Sequence, residues 1–208
     1  AALIAIPYSY VAPRSYVRTN VEGTLNVLEA VRQTGVPCLV HTSTSEVYGS
    51  AQFTPMDETH PLQGQSPYSA SKIGADKIAE SYWRSFGTPV VTVRLFNTYG
   101  PRQSARAVIP ATILQGLWCE RVRLGSTTPV RDMTYVSDTV AGFLAAAATP
   151  GLAGGTYNLG TGIGHTVGDI AQRALRLLGR GDAIDDDPER HRPAASEVDR
   201  LVSCNDAF

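Results

Sequence analysis

Apolar spacing constrains this chain more than any other feature: helical periods alternate with short β-branched runs through its first half. Val21, Leu25, Leu28 and Val31 recur at helical spacing until Gly35 supplies a stop. Residues 37–42 form a compact apolar run leading into a Ser/Thr-rich turn, which predicts a buried strand. A second helical pattern spans residues 67–86 and is closed by Gly87; Val90, Val91, Val93 and Leu95 then form another strand. Strands that alternate with helices at this pitch predict an α/β protein, with a parallel sheet covered on both faces. Two local signals add detail. Residues 1–6, ended by Pro7, read as the tail of a buried strand, and Thr19 with Glu22 has the spacing of a capping box that opens a helix.

The second half changes character, with frequent Pro and Gly and shorter elements. Helices are expected at 108–119, 137–148 and 167–178, and a strand at 155–159; the acidic stretch 185–189 reads as a solvated turn. At 208 residues and 43% hydrophobic content the chain can bury one core, or one core and a small lobe.

A formal net charge of −1 supplies no field that selects nucleic acid or an anionic membrane, and neither partner is expected. The apolar run 140–148 is too short to span a bilayer. Cys38, Cys119 and Cys204 are odd in number and far apart, which fits a reduced, cytoplasmic chain. His41, His60, His165 and His191 lack ligand spacing, so no metal is expected and these residues are assigned structural or solvent roles. Tyr8, Tyr10 and Tyr16 are read as packing residues.

Tyr68 and Lys72 lie four residues apart on the second helix, so phenol and ammonium project from one face. A phenol has a reference pKa of about 10, and bringing it near 7 takes roughly 4 kcal/mol of differential stabilisation. A neighbouring Lys cation, and an oxidised nicotinamide, act in that direction, and the phenolate can then take a hydroxyl proton while hydride leaves the same carbon. Taken alone, the pair also describes a surface helix with a stray Tyr–Lys contact. Its setting adds weight. The preceding strand ends in Thr42-Ser43-Thr44-Ser45-Glu46, and ligands of open parallel sheets bind beyond the carboxyl ends of strands. Thr44 can hydrogen-bond the reacting oxygen and Glu46 can act as base on a carbon acid, whereas an ordinary polar turn with a capping Glu has the same composition.

Ser43-Thr44-Ser45-Glu46-Val47-Tyr48-Gly49, Tyr-x-x-x-Lys, residues 94–102 (Arg-Leu-Phe-Asn-Thr-Tyr-Gly-Pro-Arg) and Arg131-Asp132-x-x-Tyr135-Val136-x-Asp138-Thr139 occur in order. Together they resemble the extended short-chain dehydrogenase/reductase family, in its nucleotide-sugar epimerases, decarboxylases and 4,6-dehydratases. Gln65-Ser66-Pro67-Tyr68 and residues 100–106 are most similar to dehydratases of N-acetylhexosamine nucleotides, including the legionaminic-acid type. The resemblance implies a partial Rossmann-like sheet in residues 1–100, as the C-terminal part of a dinucleotide-binding domain. It implies a smaller α+β substrate lobe in 101–208, with 137–160 returning to the sheet.

The resemblance also implies NAD as cofactor, held by Ala1, Ala2, Thr42, Ser43, Tyr68 and Lys72. Tyr68 and Lys72 become the oxidation pair, Thr44 assists, Glu46 removes the C5 proton, and Ser45 stands where many glucose-type dehydratases carry Asp. Asn97, Val108, Arg131, Asn158 and Arg192 match positions that grip the nucleotide and its diphosphate, a task suited to the planar Arg fork. The implied activity is 4,6-dehydration of a nucleotide sugar such as UDP- or GDP-N-acetylglucosamine. A C4 epimerase or a glucuronate decarboxylase is the nearest rival. A homodimer through helices 21–34 and 67–86 is implied as well, and a non-catalytic dimerisation fragment is the reading from another class. The family's opening Gly-x-x-Gly-x-x-Gly has no counterpart here, since residues 160–164 follow no matching strand–helix unit. A sequence lacking segments at both ends is therefore expected.

Overall fold

The computed structural model describes residues 2–181 and 184–207. Helices α1 (Ile6–Val11), α2 (Pro13–Tyr16) and α3 (Gly23–Thr34) come first, with a π-helical segment, Val17–Glu22, between the last two. Strand β1 (Leu39–Thr44), a 3-10 turn (Ser45–Tyr48), α4 (Pro67–Phe86), β2 (Val90–Leu95) and β3 (Asn97–Tyr99) follow. The remainder contains α5 (Val108–Trp118), β4 (Val122–Leu124), β5 (Val130–Tyr135), α6 (Val136–Ala148) and β6 (Thr156–Leu159). It closes with β7 (Gly164–Thr166), α7 (Val167–Leu177), β8 (Ile184–Asp186) and β9 (Arg200–Leu201).

Strands β1, β2 and β6 form a parallel sheet in that order, with Leu39 opposite Val90 and Thr92 opposite Thr156. Period two decides what each face of β2 meets. Val90 packs with Leu28 of α3 and with Ala79 and Tyr82 of α4, while Val91 and Val93 pack with Ala146 of α6 and Leu159. Helices therefore cover both faces of a Rossmann-like sheet. Burying an aliphatic side chain of this kind contributes about 1.5–3 kcal/mol. A second sheet joins β3, β5 and β7, with β9 alongside β5, and a two-stranded unit pairs β4 with β8 beneath α7.

Helix α4, which carries Tyr68 and Lys72, is fixed at both ends by local chemistry. The Ser66 hydroxyl accepts from the Ser69 amide (3.1 Å) and the Ser69 hydroxyl accepts from the Ser66 amide (2.9 Å), a reciprocal capping box built from two serines. Pro67 sits in the first turn, where its missing N–H costs nothing, and Gly87 ends the helix at φ 65°.

Several expectations are corrected. Residues 2–5 pair with no strand: the Asn20 side chain takes the Leu3 amide and carbonyl (2.9 and 3.0 Å), and Pro7 opens α1 instead of ending a strand. Thr19 and Glu22 cap nothing, because helical backbone is already under way from Pro13 and both lie inside the π segment. Within 185–189, Asp185 and Asp186 belong to β8 and pair with Arg123 and Leu124. Tyr16 is fully buried as expected; Tyr8 is 51% exposed but packs on the Tyr16 ring at 6.3 Å between centroids, and Tyr10, 36% exposed, hydrogen-bonds Ser196. Among the described residues no helix is long and apolar enough to cross a membrane.

Candidate active site

The carboxyl end of β1 carries the first group of site residues. The Thr44 hydroxyl accepts from the Glu46 amide (3.3 Å) and caps the 3-10 turn that presents Glu46; Ser45 is buried in the same turn. Gly49 ends it at φ 64°, where a Cβ would lie 2.6 Å from Gln65 Oε1 and 2.9 Å from the Gln63 carbonyl, so a glycine is required. Tyr68, in the first turns of α4, packs edge-on against Tyr16 at 6.2 Å between centroids, with Leu3 and Ile6 in the same cluster. Its hydroxyl hydrogen-bonds Thr44 and feels the Glu46 charge. Thr44, Glu46 and Tyr68 thus converge at one place.

The phenol is the opposite of what the Tyr–Lys spacing suggested. Burial pushes the Tyr68 phenol up to about 12; the Thr44 hydrogen bond pulls it down, while the negative charges of Glu46 and Asp76 push it further up. Lys72 is not among its leading influences. The Lys72 ammonium instead donates to the Thr42 carbonyl (2.6 Å), and burial lowers its own pKa against the pull of Asp76. In the chain alone the phenol stays protonated, because desolvation outweighs what the lysine can offer.

Lys72, Thr42 and Ala2 line one cavity of about 550 Å³, with Asn20, Gly23 and His41, against the free edge of β1. Ala1 lies outside the described residues. Ser43 is buried and its hydroxyl donates to Asp76 (2.8 Å), so its side chain faces α4 and not the cavity.

A second cavity, of about 260 Å³, gathers Asn97, Val108, Arg131 and Arg192. Asn97 Oδ1 is buried there without a hydrogen-bond partner. Helix α5 begins at Val108 with no side-chain cap, so its positive end opens on the same space. Arg192 Nη1 lies 3.4 Å from Glu46 Oε1, which links this cleft to the Tyr68 end. Burial depresses the Arg131 pKa, Glu46 sustains its charge and Arg192 opposes it. Asn158 does not join them. It is fully buried, its Oδ1 accepts from the Tyr48 hydroxyl (2.6 Å) and its Nδ2 donates to the Met56 carbonyl (2.9 Å). Fully buried and absent from the cleft lining, its side chain ties the core together at this position.

Two participants escaped the sequence. Glu197 lines the arginine cleft, 3.5 Å from Arg131 Nη2 and 4.0 Å from Arg192 Nη1. Its one signal is position, five residues after Arg192 in the same irregular segment. Asp76, one helical turn beyond Lys72, gathers His41 (3.1 Å), Ser43 and Arg94 (3.3 Å) beneath the site.

Comparison with known proteins places this geometry in context. The family described as GDP-mannose 4,6 dehydratase matches residues 1–207. A dTDP-glucose 4,6-dehydratase of Streptomyces antibioticus is 38% identical over 187 residues, 89% of this chain and 56% of that protein. Among solved structures, DesIV of Streptomyces venezuelae, a dTDP-glucose 4,6-dehydratase with NAD and TYD bound, superposes with a TM-score of 0.87 at 31% identity, over 99% of this chain and 63% of that one. TunA, an NAD-dependent NDP-hexosamine 5,6-dehydratase involved in tunicamycin biosynthesis, superposes with a TM-score of 0.89 at 30% identity, over 98% and 66%. The chain spans about half the length of the first of these relatives.

Proposed function

The chain belongs to the nucleotide-sugar 4,6-dehydratase and epimerase family of short-chain dehydrogenases/reductases, and from that premise we propose that it acts in an NAD-dependent 4,6-dehydration of a nucleotide-activated hexosamine, such as UDP- or GDP-N-acetylglucosamine. The observation that carries this reading is the convergence of Tyr68, Thr44 and Glu46 at the end of β1, with Glu46 reaching into the arginine cleft.

The residues present fit the nicotinamide end of a dinucleotide. An ammonium with donors beyond the one given to Thr42 borders a cavity of about 550 Å³, as ribose hydroxyls require. When bound, NAD would supply hydride uptake from C4 and its return to C6. Tyr68 takes the C4 hydroxyl proton while Thr44 holds that oxygen. Glu46 then removes the C5 proton, which a C4 ketone makes acidic, and hands it to the departing C6 hydroxyl, which leaves as water, since neighbouring Ser45 is a poor acid. When hydride returns to C6, Glu46 delivers to C5 a proton taken up from solvent, and Tyr68 releases to solvent the one it took from the C4 hydroxyl. Asn97, Arg131 and Arg192 hold the diphosphate, Arg192 and Arg131 by their planar forks.

Product analysis tests the reading: a 4-keto-6-deoxy sugar with hydride moved from C4 to C6 is expected. Tyr68→Phe abolishes turnover, whereas Glu46→Gln accumulates the 4-ketone without loss of water. Unchanged turnover by Glu46→Gln removes that carboxylate from the mechanism, and a C4-inverted product assigns the chain to epimerisation.

A further inference from the structure

The arginine cleft contains its own competitors for a ligand. Arg131 and Arg192 face Glu46 and Glu197, so two cations are matched by two carboxylates before any substrate arrives. Arg190 also lines the cavity but is engaged by Asp187 at 2.9 Å. One nitrogen of Arg192 serves both carboxylates: Nη1 is 3.4 Å from Glu46 and 4.0 Å from Glu197. Glu46 takes one N–H of Nη1 and Glu197 lies beyond hydrogen-bond reach, so an anion that draws the whole guanidinium toward itself takes the donor held by Glu46. All three contacts are long, the signature of pairs that separate at small cost.

We infer that Arg192 couples filling of the anion cleft to release of Glu46. A diphosphate that draws the guanidinium to itself takes it from Glu46, leaving that carboxylate beside Tyr68 and Thr44 without its cation. Glu197 is the positioning residue of the device: it holds Arg131 at the cleft and stands next to Arg192. The base is then paired while the cleft is empty and set free once the substrate's diphosphate is in place. The inference rests on the nucleotide-sugar reading of this cleft, and it uses residues whose separate roles that reading already names.

Competition of this kind is measurable without turnover. Inorganic pyrophosphate is titrated calorimetrically into the full chain, Glu46→Gln, Arg192→Gln and the double variant, each first shown by circular dichroism to melt cooperatively; Arg192→Met replaces Arg192→Gln if the latter does not fold. Glu46→Gln is expected to bind pyrophosphate about two- to fivefold more tightly than the parent, the range set by a partly exposed ion pair. The same change in the Arg192→Gln background is expected to have no effect, because the contested guanidinium is gone. Equal tightening in both backgrounds reveals a general field effect and overturns the coupling alone. No tightening in the parent background overturns it as well. A parent chain that takes up no pyrophosphate overturns the reading of the cleft itself, and the coupling falls with it.

Discussion

Two charged clusters lie within the same fold and are built in opposite ways. Around Asp76, three donors from β1 and β2 close on one carboxylate at 2.8–3.3 Å, and the Asp76 side chain is 4% exposed. The Arg94 guanidinium also donates to the Tyr48 hydroxyl (3.0 Å) and lies over its ring. Around Arg192, the contacts run from 3.4 to 4.0 Å and the side chains are 14–25% exposed. The first cluster joins α4 to the sheet and offers nothing to a ligand. The second has spare donors and a cavity. Charge in this molecule is thus rigid where it positions Tyr68 and Lys72, and loose where an anion has to enter.

The largest expected effect comes from breaking the rigid cluster. Asp76→Ala strands the buried Arg94 and His41 side chains, and removing one partner of a buried pair costs about 3–5 kcal/mol. Urea melts should show that loss, or no folded chain at all. Asp76→Asn keeps the shape and exposes the charge contribution. Burial opposes ionisation of Asp76, but the His41 hydrogen bond and the Arg94 charge outweigh it and hold the carboxyl below the usual aspartate range. A depressed carboxylate stabilises fully above its unfolded pKa, about 3.9, and loses that contribution as pH falls through the lower folded value. The parent should therefore lose stability below about pH 4 by a component absent from Asp76→Asn. Identical acid limbs for the two chains would show that the cluster is not ionic.

Asn158→Ala should have the next largest effect. It removes the acceptor of the Tyr48 O–H and one of two donors to the Met56 carbonyl, which keep Arg94 and the Cys204 amide as partners, and each lost hydrogen bond costs about 0.5–1.5 kcal/mol. Thermal melts should record the loss while pyrophosphate affinity stays at the parent value. A fall in affinity with unchanged stability would return Asn158 to the ligand side and blur the contrast between the clusters.

How much of this was legible follows from the range of the interactions. Helix α4 and strand β2 were readable residue for residue, because Ser66, Pro67 and Gly87 are local signals and β2 is buried on both faces. Strands β3, β7 and β9 hold two or three residues each, too few for a period to show. Thr44, Glu46 and Tyr68 were readable because a strand end and a helix start are each local. The Asp76 cluster spans 18 to 35 residues in sequence, and Glu197 is linked to Glu46 through Arg131 and Arg192, so neither leaves a pattern in neighbouring residues. The Tyr68 pKa was misjudged for a related reason: spacing along a helix reports which groups are near, and burial, which dominates here, depends on Tyr16 and Leu3 arriving from elsewhere.

The smallest expected effect belongs to the loose cluster, and salt makes it diagnostic. Glu197→Gln removes a pair at 3.5 Å from Arg131, buried at its arginine end and open to water at its Glu197 end, and a weaker one from Arg192. The Arg192 contact contributes at most about 1 kcal/mol and the long Arg131 contact stays below the roughly 3–5 kcal/mol of a closed buried pair, so the variant should melt closer to the parent than Asp76→Asn does. At 1 M salt the Debye length shrinks to about 3 Å, which screens partly exposed charges and spares buried ones. The small difference between Glu197→Gln and its parent should then close, while the gap between Asp76→Asn and the parent persists. If the Glu197 gap survives high salt, this carboxylate is held as firmly as Asp76, and a cleft that firm has no room for an exchange of partners at Arg192.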